Sequence, residues 1–253
     1  MTTITRLVKA LVQAPTPLLQ SIRKVFLSAL AISFFIACSP LQQYADTAAR
    51  WEGDILQLET LDTQQTYPKE AVLFLGSSSI RLWETIQEDV APYIPIQRGY
   101  GGAHFYDLIH FTERLASPHN YQAVVCFVAN DISGSNDPEQ PDVLPEEVLR
   151  LFKFFIKQLR KINPDVPVFQ IEITPTNSRW QVWNQIAEAN RLIKQYCAQE
   201  ENLYFIATRD YFIGLDGKPD GSLFVEDQLH LNREGYRIWS RLVTQALTGV
   251  LSP

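Results

Sequence analysis

The chain has 253 residues, of which 46% are hydrophobic and 11% aromatic, which is ample for one buried core and predicts one domain with a terminal extension. The formal net charge is −6, and no basic run is long enough to follow a phosphate backbone, so we expect no nucleic-acid partner. The cysteines and histidines show neither a Cys-x-x-Cys motif nor another metal-ligand spacing, so we expect no metal and no cofactor.

The N-terminal stretch has the pattern of an export signal. Residues 1–24 carry basic side chains and no acid, and residues 25–37 then form an almost unbroken apolar run. This run is shorter than the ~20 residues that a spanning helix needs. We predict that residues 1–40 are an export signal or membrane anchor, and that the protein is secreted, periplasmic or membrane-attached. Ala37-Cys38 resembles the end of a bacterial lipobox, which would make Cys38 a lipidated N-terminus; an uncleaved amphipathic extension is the alternative.

Residues 41–70 are predicted to form a leading helix and linker, because apolar residues recur at helical spacing over 41–61. A buried strand at 71–75 follows and ends at Gly76, which leads through a turn of serines into a predicted helix over 80–90. α/β proteins place a nucleophile or a phosphate in such a turn, and this one lacks the lysine of a phosphate loop. Alternatively, the serines only cap the helix.

The second predicted strand covers residues 96–98. Three glycines, at 99, 101 and 102, follow it and precede a helix predicted over 104–115. Bare backbone N–H groups at a helix start suit a developing anion, which makes Gly102 a candidate donor. The spacing is not that of a dinucleotide-binding loop. The alternative is that the glycines serve only a tight turn.

The third predicted strand, at 121–128, is continuously apolar and ends at Asn130-Asp131, where parallel sheets bind ligands. Further strands are predicted at 167–173 and 203–207, and helices at 146–162, 180–199 and 233–247. This alternation predicts a domain over 71–250 with a three-layer α/β/α sandwich around a mainly parallel five-stranded sheet.

Two distant segments contain the residues of a serine nucleophile system. Ser78 needs a base to take its proton, and His230 is an imidazole with Asp227 three residues before it to orient the ring. The backbone N–H groups of Ser78 and Gly102 and the amide of Asn130 could hold an oxyanion. The alternative for Asp227 is a helix N-cap acid beside an incidental surface histidine.

The stretch from about 71 to 245 resembles the SGNH, or GDSL-like, hydrolases. The matching blocks are GSSS at 76–79, GYGG at 99–102, ND at 130–131 and DQLH at 227–230. This resemblance implies a flavodoxin-like sandwich, with Ser78 as the nucleophile. Two positions depart from the pattern: Ser77 replaces the usual aspartate, which some members tolerate, and Val128 replaces a glycine beside the oxyanion hole.

The resemblance implies a serine esterase that cleaves a small acyl ester, either a glycan acetate or a lipid ester, through an acyl-enzyme. The catalytic residues would be Ser78, Asp227 and His230, and the oxyanion hole would be Ser78, Gly102 and Asn130. Two alternatives stay open: a non-catalytic binding module of the same fold, which Val128 favours, and acyl transfer to a sugar or alcohol. Candidates for a pocket lining are Arg81, Trp83, Tyr100, His104, Arg179, Trp180 and Trp183.

Overall fold

The structure is a computed structural model that describes residues 44–135, 137 and 140–251. The predicted export signal, Cys38 and the first three residues of the predicted leading helix lie outside the described residues. In the part that is described, no helix combines the length and the apolar character needed to cross a bilayer.

Across the described residues, one sheet contains the five predicted strands, and every neighbouring pair runs parallel. The strands are β1 (Val72–Gly76), β2 (Pro95–Gly99), β3 (Ala123–Phe127), β4 (Val168–Ile171) and β5 (Leu203–Ile206). Their order is β2-β1-β3-β4-β5, which is the flavodoxin-like order. Strands β1, β3 and β4 are buried along their whole length, because helices cover both faces of the sheet.

The helices form a layer on each face. They are α1 (Ala45–Ala48), α2 (Glu52–Gln64), α3 (Ser78–Arg81), α4 (Ile86–Asp89), α5 (Phe105–Ala116), α6 (Pro145–Ile162), α7 (Trp183–Cys197) and α8 (Arg233–Val250). The chain crosses from β1 to β2 in one direction and returns past β1 to β3, so right-handed crossovers put the following helices on opposite faces. Helix α6 packs between α5 and α7, whereas α8 packs against α4. The predicted α/β/α sandwich is confirmed.

The prediction of one helix over 80–90 is wrong, because the segment forms the two short helices α3 and α4. The side-chain amide of Gln97 on β2 donates to the carbonyl oxygens of Ile80 (2.6 Å) and Trp83 (3.2 Å). The Trp83 indole is fully buried, and its Nε1–H donates to Asp89 Oδ2 at 2.7 Å. The Gln97 bonds take up carbonyls that a continuous helix would have bonded internally, and the Trp83–Asp89 bond holds α4 against the buried indole.

The helix predicted from residue 180 begins instead as a 3₁₀ turn, Asn177–Val182, and α7 starts at Trp183. The Ser178 N–H donates to the carbonyl of Gln228 at 3.2 Å, and the Asn177 amide donates to the side chain of the same residue at 2.9 Å. The 3₁₀ turn is therefore bonded to the loop that carries Asp227 and His230.

Helix α2 is attached to the sheet domain by ion pairs near both of its ends. At its start and in its middle, Glu52 and Glu59 accept from Arg114 on α5, at 2.8 and 2.7 Å. Near its end, Asp62 accepts from the Nε–H of Arg98 on β2 at 3.1 Å. The Arg98 side chain is buried, so this second pair is shielded from solvent.

The Gly76 position tests the geometry of the first turn. Its φ is +142°, and a Cβ there would lie 1.9 Å from the carbonyl oxygen of Phe127. We expect Gly76→Ala to lower the free energy of unfolding by ~2 kcal/mol or more, because a side chain meets both backbone strain and backbone overlap. Urea unfolding measures this loss. Gly53→Ala is the matched control: a Cβ on this α2 residue meets nothing within 4 Å, and alanine should stabilise the helix by about 0.5–1 kcal/mol. Equal unfolding midpoints for both variants would contradict the positive φ of Gly76 and its close approach to the Phe127 carbonyl.

Candidate active site

A pocket lies at the carboxyl edge of the sheet, and three of the predicted site residues line it: Ser78, Asn130 and His230. The pocket encloses about 20 Å³, which is room for about one water molecule. Its other lining residues are Ser77, Ser79, Phe127, Ala129, Thr174, Thr176, Arg179, Leu229, Leu231 and Trp239. Gly102 lies beside Asn130, since a Cβ built on Gly102 would be 3.9 Å from the Asn130 Nδ2 atom.

The turn after β1 exposes one of its serines. The Ser77 N–H donates to the carbonyl of Phe127 at 2.9 Å, and the Ser77 and Ser79 side chains are buried. Ser78 is the first residue of α3, and its Oγ lies 2.8 Å from Nε2 of His230. Among these serines, Ser78 is therefore the one in contact with the imidazole.

Asp227 holds His230 in a compact turn. Its Oδ2 lies 2.6 Å from His230 Nδ1, and its Oδ1 accepts the backbone N–H groups of Leu229 and His230, both at 2.9 Å. Burial raises the pKa of Asp227, but the hydrogen bonds from His230 and Leu229 outweigh it, so the pKa lies below its ordinary value. A charged Asp227 accepts a hydrogen bond from the Nδ1–H group, which leaves Nε2 free to accept from Ser78.

The alternative for Asp227, a helix N-cap, does not hold. Helix α8 begins at Arg233, and its N-cap is Asn232, whose side chain accepts from the N–H of Glu234 at 3.0 Å and of Gly235 at 3.2 Å. The Asp227 turn is instead fixed by its own bonds and by the Val225 N–H, which donates to the His230 carbonyl at 2.9 Å.

The Asn130 amide is held from two sides. Its Nδ2 donates to the carbonyl of Ala103 at 2.9 Å, and its Oδ1 accepts from Nη2 of Arg179 at 2.6 Å. The N–H of Ser78 has no acceptor within its own helix, because it belongs to the first turn of α3. Ser78 and Asn130 thus bring donor groups to the pocket, and Gly102 adjoins them.

Asp131, the residue after Asn130, has a structural position. Its side chain is buried and accepts the N–H of Phe105 at the start of α5, at 3.1 and 3.2 Å. Burial raises the pKa of Asp131 to about 6. This bond ties the end of β3 to the helix that follows the Gly102 loop.

Val128, the departure from the family pattern, is fully buried. In the described part of the chain, the pocket lining does not include it, and Asn130 still reaches the pocket. The Val128 side chain therefore does not fill the space beside Ser78.

Among the described residues, Arg179 is the one predicted candidate that lines the pocket. Trp83, Tyr100 and His104 are buried, and Arg81 is exposed. Sequence reasoning missed Thr174 and Thr176, although their position directly after β4 was a signal of the same kind as Asn130 after β3.

Sequence reasoning also missed Trp51. Its Nε1–H donates to Asp107 Oδ2 at 3.2 Å, and its ring covers the loop between β2 and α5. A Cβ built on Gly101 would lie 1.9 Å from this ring. Gly101 is therefore needed for the close approach to the Trp51 indole, and the helical segment before β1 supplies this ring.

Within residues 44–135, 137 and 140–251, no group of three or more His, Cys, Asp or Glu side chains could hold a metal ion. The cysteines at 126 and 197 are free and buried.

The sequence model of the GDSL-like lipase/acylhydrolase family matches residues 74–238. Solved structures with a similar fold include a GDSL-like lipase from Bacteroides thetaiotaomicron, with 17% identity and a TM-score of 0.61 over 78% of this chain and 98% of that one. An acetyl xylan esterase has 23% identity and a TM-score of 0.58, over 70% and 99% of the two chains. A catalytic mutant of an acetylxylan esterase from Geobacillus stearothermophilus has 15% identity and a TM-score of 0.58, over 70% and 93%. No curated protein matches the sequence.

The two glycines of the loop under Trp51 give a paired test. We expect Gly101→Ala to cost ~1–3 kcal/mol in the free energy of unfolding, because the new methyl overlaps a rigid ring. Gly102→Ala should be tolerated, since the atoms nearest to its Cβ are 3.9 Å away. Urea unfolding followed by tryptophan fluorescence compares the variants. If Gly101→Ala unfolds at the same midpoint as Gly102→Ala, the Trp51 contact is not as described.

Proposed function

Because this chain belongs to the GDSL-like lipase/acylhydrolase family and is a hydrolase of carboxylic esters, we propose that it cleaves small acyl esters with a Ser78–His230–Asp227 triad through an acyl-enzyme. The observation that carries this proposal is the continuous chain of contacts from Ser78 Oγ to His230 Nε2 (2.8 Å) and from His230 Nδ1 to Asp227 Oδ2 (2.6 Å).

The proposed reaction begins with proton transfer from the Ser78 hydroxyl to His230 Nε2 as Oγ attacks the ester carbonyl. Asp227 keeps the proton on Nδ1 and stabilises the imidazolium that forms. The protonated Nε2 then gives its proton to the leaving alkoxide, and the alcohol departs from the acyl-enzyme. Water, deprotonated by the same nitrogen, attacks the acyl carbon. The bond between that carbon and Ser78 Oγ then breaks, Nε2 gives its proton to Oγ, and the carboxylic acid leaves.

The carbonyl oxygen becomes negatively charged in each tetrahedral intermediate. The proposed donors are the backbone N–H groups of Ser78 and Gly102 and the remaining Nδ2 hydrogen of Asn130. Loss of one such donor typically lowers turnover by about 10²–10³-fold.

We propose an acetyl ester, and in particular a glycan acetate, as the substrate class. The space next to Ser78 is small, about 20 Å³, which favours a short acyl group such as acetyl over a lipid acyl chain. Two catalytic mutants of the Geobacillus stearothermophilus acetylxylan esterase alter an aspartate and a histidine three positions apart, which is also the spacing of Asp227 and His230.

A pair of p-nitrophenyl esters, acetate and octanoate, tests the proposal on residues 41–253. We expect turnover of the acetate to exceed that of the octanoate by ~10-fold or more, because the space beside Ser78 is small. Ser78→Ala should lower kcat/KM by at least ~10³-fold, since no hydroxyl remains to attack. Ser117→Ala, a serine just after the end of α5, is the control and should keep full activity.

The outcomes separate the candidates. Equal activity of wild-type protein and Ser78→Ala would end the triad assignment. Turnover that appears only with an added sugar or alcohol acceptor would identify an acyltransferase, and binding of esters without turnover would identify a non-catalytic module.

We also propose that residues 1–40 export the protein or anchor it to a membrane, with Cys38 as the lipidated residue. In a bacterial host fed a labelled fatty acid, the full chain should carry the label and Cys38→Ala should not. Cys197→Ala should keep the label, because that cysteine is buried in α7. An unlabelled full chain would remove the lipoprotein assignment and leave export to be judged by fractionation.

A further inference from the structure

We propose that Arg179 is a positioning residue that aims the Asn130 amide into the oxyanion hole. The inference rests on the proposed function and goes beyond it, because Arg179 belongs to none of the blocks that carry the family resemblance. It lies in the 3₁₀ turn Asn177–Val182 and lines the pocket.

The contacts of Asn130 determine which way its amide faces. The amide nitrogen carries two hydrogens, of which one is donated to the carbonyl of Ala103 at 2.9 Å. The amide oxygen accepts from Arg179 Nη2 at 2.6 Å. If the amide rotated by half a turn, its NH₂ group would face the guanidinium and its oxygen would face the Ala103 carbonyl. Both contacts would then be repulsive, so the pair of partners selects one orientation.

The position of Arg179 is itself fixed by the strand that carries Asn130. Its Nη1 donates to the backbone carbonyl of Ala129, the residue before Asn130, while Nη2 holds the Asn130 side chain. One planar guanidinium thus binds both the backbone and the side chain of the same short segment. A lysine, with a single ammonium on a flexible stem, does not reproduce this fork.

The carboxylates of Asp142 and Asp131 attract the charge of Arg179 without forming an ion pair with it. In the described part of the chain, the ion pairs within 4 Å do not include Arg179, whose partners are a carbonyl and an amide oxygen. Loss of hydration lowers the pKa of Arg179 to about 10, which leaves it charged at neutral pH. A partly desolvated cation bound to the Asn130 oxygen polarises the amide, which makes Nδ2 a stronger donor to the negative oxygen of the tetrahedral intermediate.

The test is a double-mutant cycle on p-nitrophenyl acetate with Arg179→Gln, Arg179→Lys, Asn130→Ala and the two combined variants. We expect Arg179→Gln to lower kcat by ~10–100-fold with little change in KM, because the lost interaction belongs to the transition state. Arg179→Lys should restore only part of this loss. In the Asn130→Ala background, either change should lower kcat by less than ~3-fold, because the amide on which Arg179 acts is gone.

The matched control is Arg160→Lys. Arg160 donates to the carbonyls of Pro164 and Val166 (2.8 and 2.6 Å) and of Glu201 and Asn202 (3.1 and 3.0 Å), at the opposite edge of the sheet. It is thus another arginine bound to backbone carbonyls, but far from the pocket. We expect a lower melting temperature for this variant and an unchanged kcat per folded molecule.

Several outcomes would overturn the proposal. Independent, multiplicative losses in the combined variants would mean that Arg179 does not act through Asn130. A raised KM with unchanged kcat would mean that Arg179 binds the substrate directly. Unchanged kcat in both Arg179 variants, while wild-type turnover still depends on Ser78, would overturn the role of Arg179 and leave the esterase proposal standing. Absence of Ser78-dependent turnover in the wild-type protein would overturn both.

Discussion

The pairing of β1 with β3 is the contact on which the candidate site depends. In this parallel register Gly76 lies opposite Phe127, and the Ser77 N–H donates to the Phe127 carbonyl at 2.9 Å. The chain of β1 turns into α3 directly after this bond, which places Ser78 at the carboxyl edge of the sheet. Strand β3 leads to Asn130 three residues beyond Phe127. The serine and the amide therefore come from two adjacent strands that backbone hydrogen bonds hold in place, at the point where the strand order reverses.

The remaining parts of the site come from segments outside the sheet, and specific side-chain contacts hold each of them. Asp227 accepts two N–H groups of its own turn, and Arg179 binds the Ala129 carbonyl. The glycine loop is covered by the Trp51 ring, whose indole nitrogen is itself bonded to Asp107. A site assembled from several segments needs such bonds, because donors stabilise a developing charge best when they are already in position.

Asn130 lies between Asp131 and Arg179, two residues of opposite charge. Their burial would cost free energy without hydrogen-bond partners. Asp131 is buried and caps the start of α5, and burial raises its pKa to about 6. Arg179 approaches from the other side and binds oxygen atoms only. Val128, the residue that departs most from the family pattern, is buried and lies outside the described lining of the pocket. Bonds to Ala103, Phe105 and Arg179 thus fix the segment from Ala129 to Asp131.

The sequence by itself determined the alternation of strands and helices and the sheet at the centre. It also identified Ser78, His230 and Asp227 as candidate site residues, which the structure brings together. These follow from local patterns, since the periodicity of apolar residues and short motifs are properties of neighbouring positions. Only the tertiary structure decided the break between α3 and α4, the Trp51 contact with Gly101, and the Arg179 bond to Asn130. Arg179 and Asn130 are 49 positions apart, and Ser78 and His230 are 152 apart. A motif marked the second pair, whereas Arg179 was only one of seven candidates for the pocket lining, because its bond to Asn130 depends on the residues that the fold places against it.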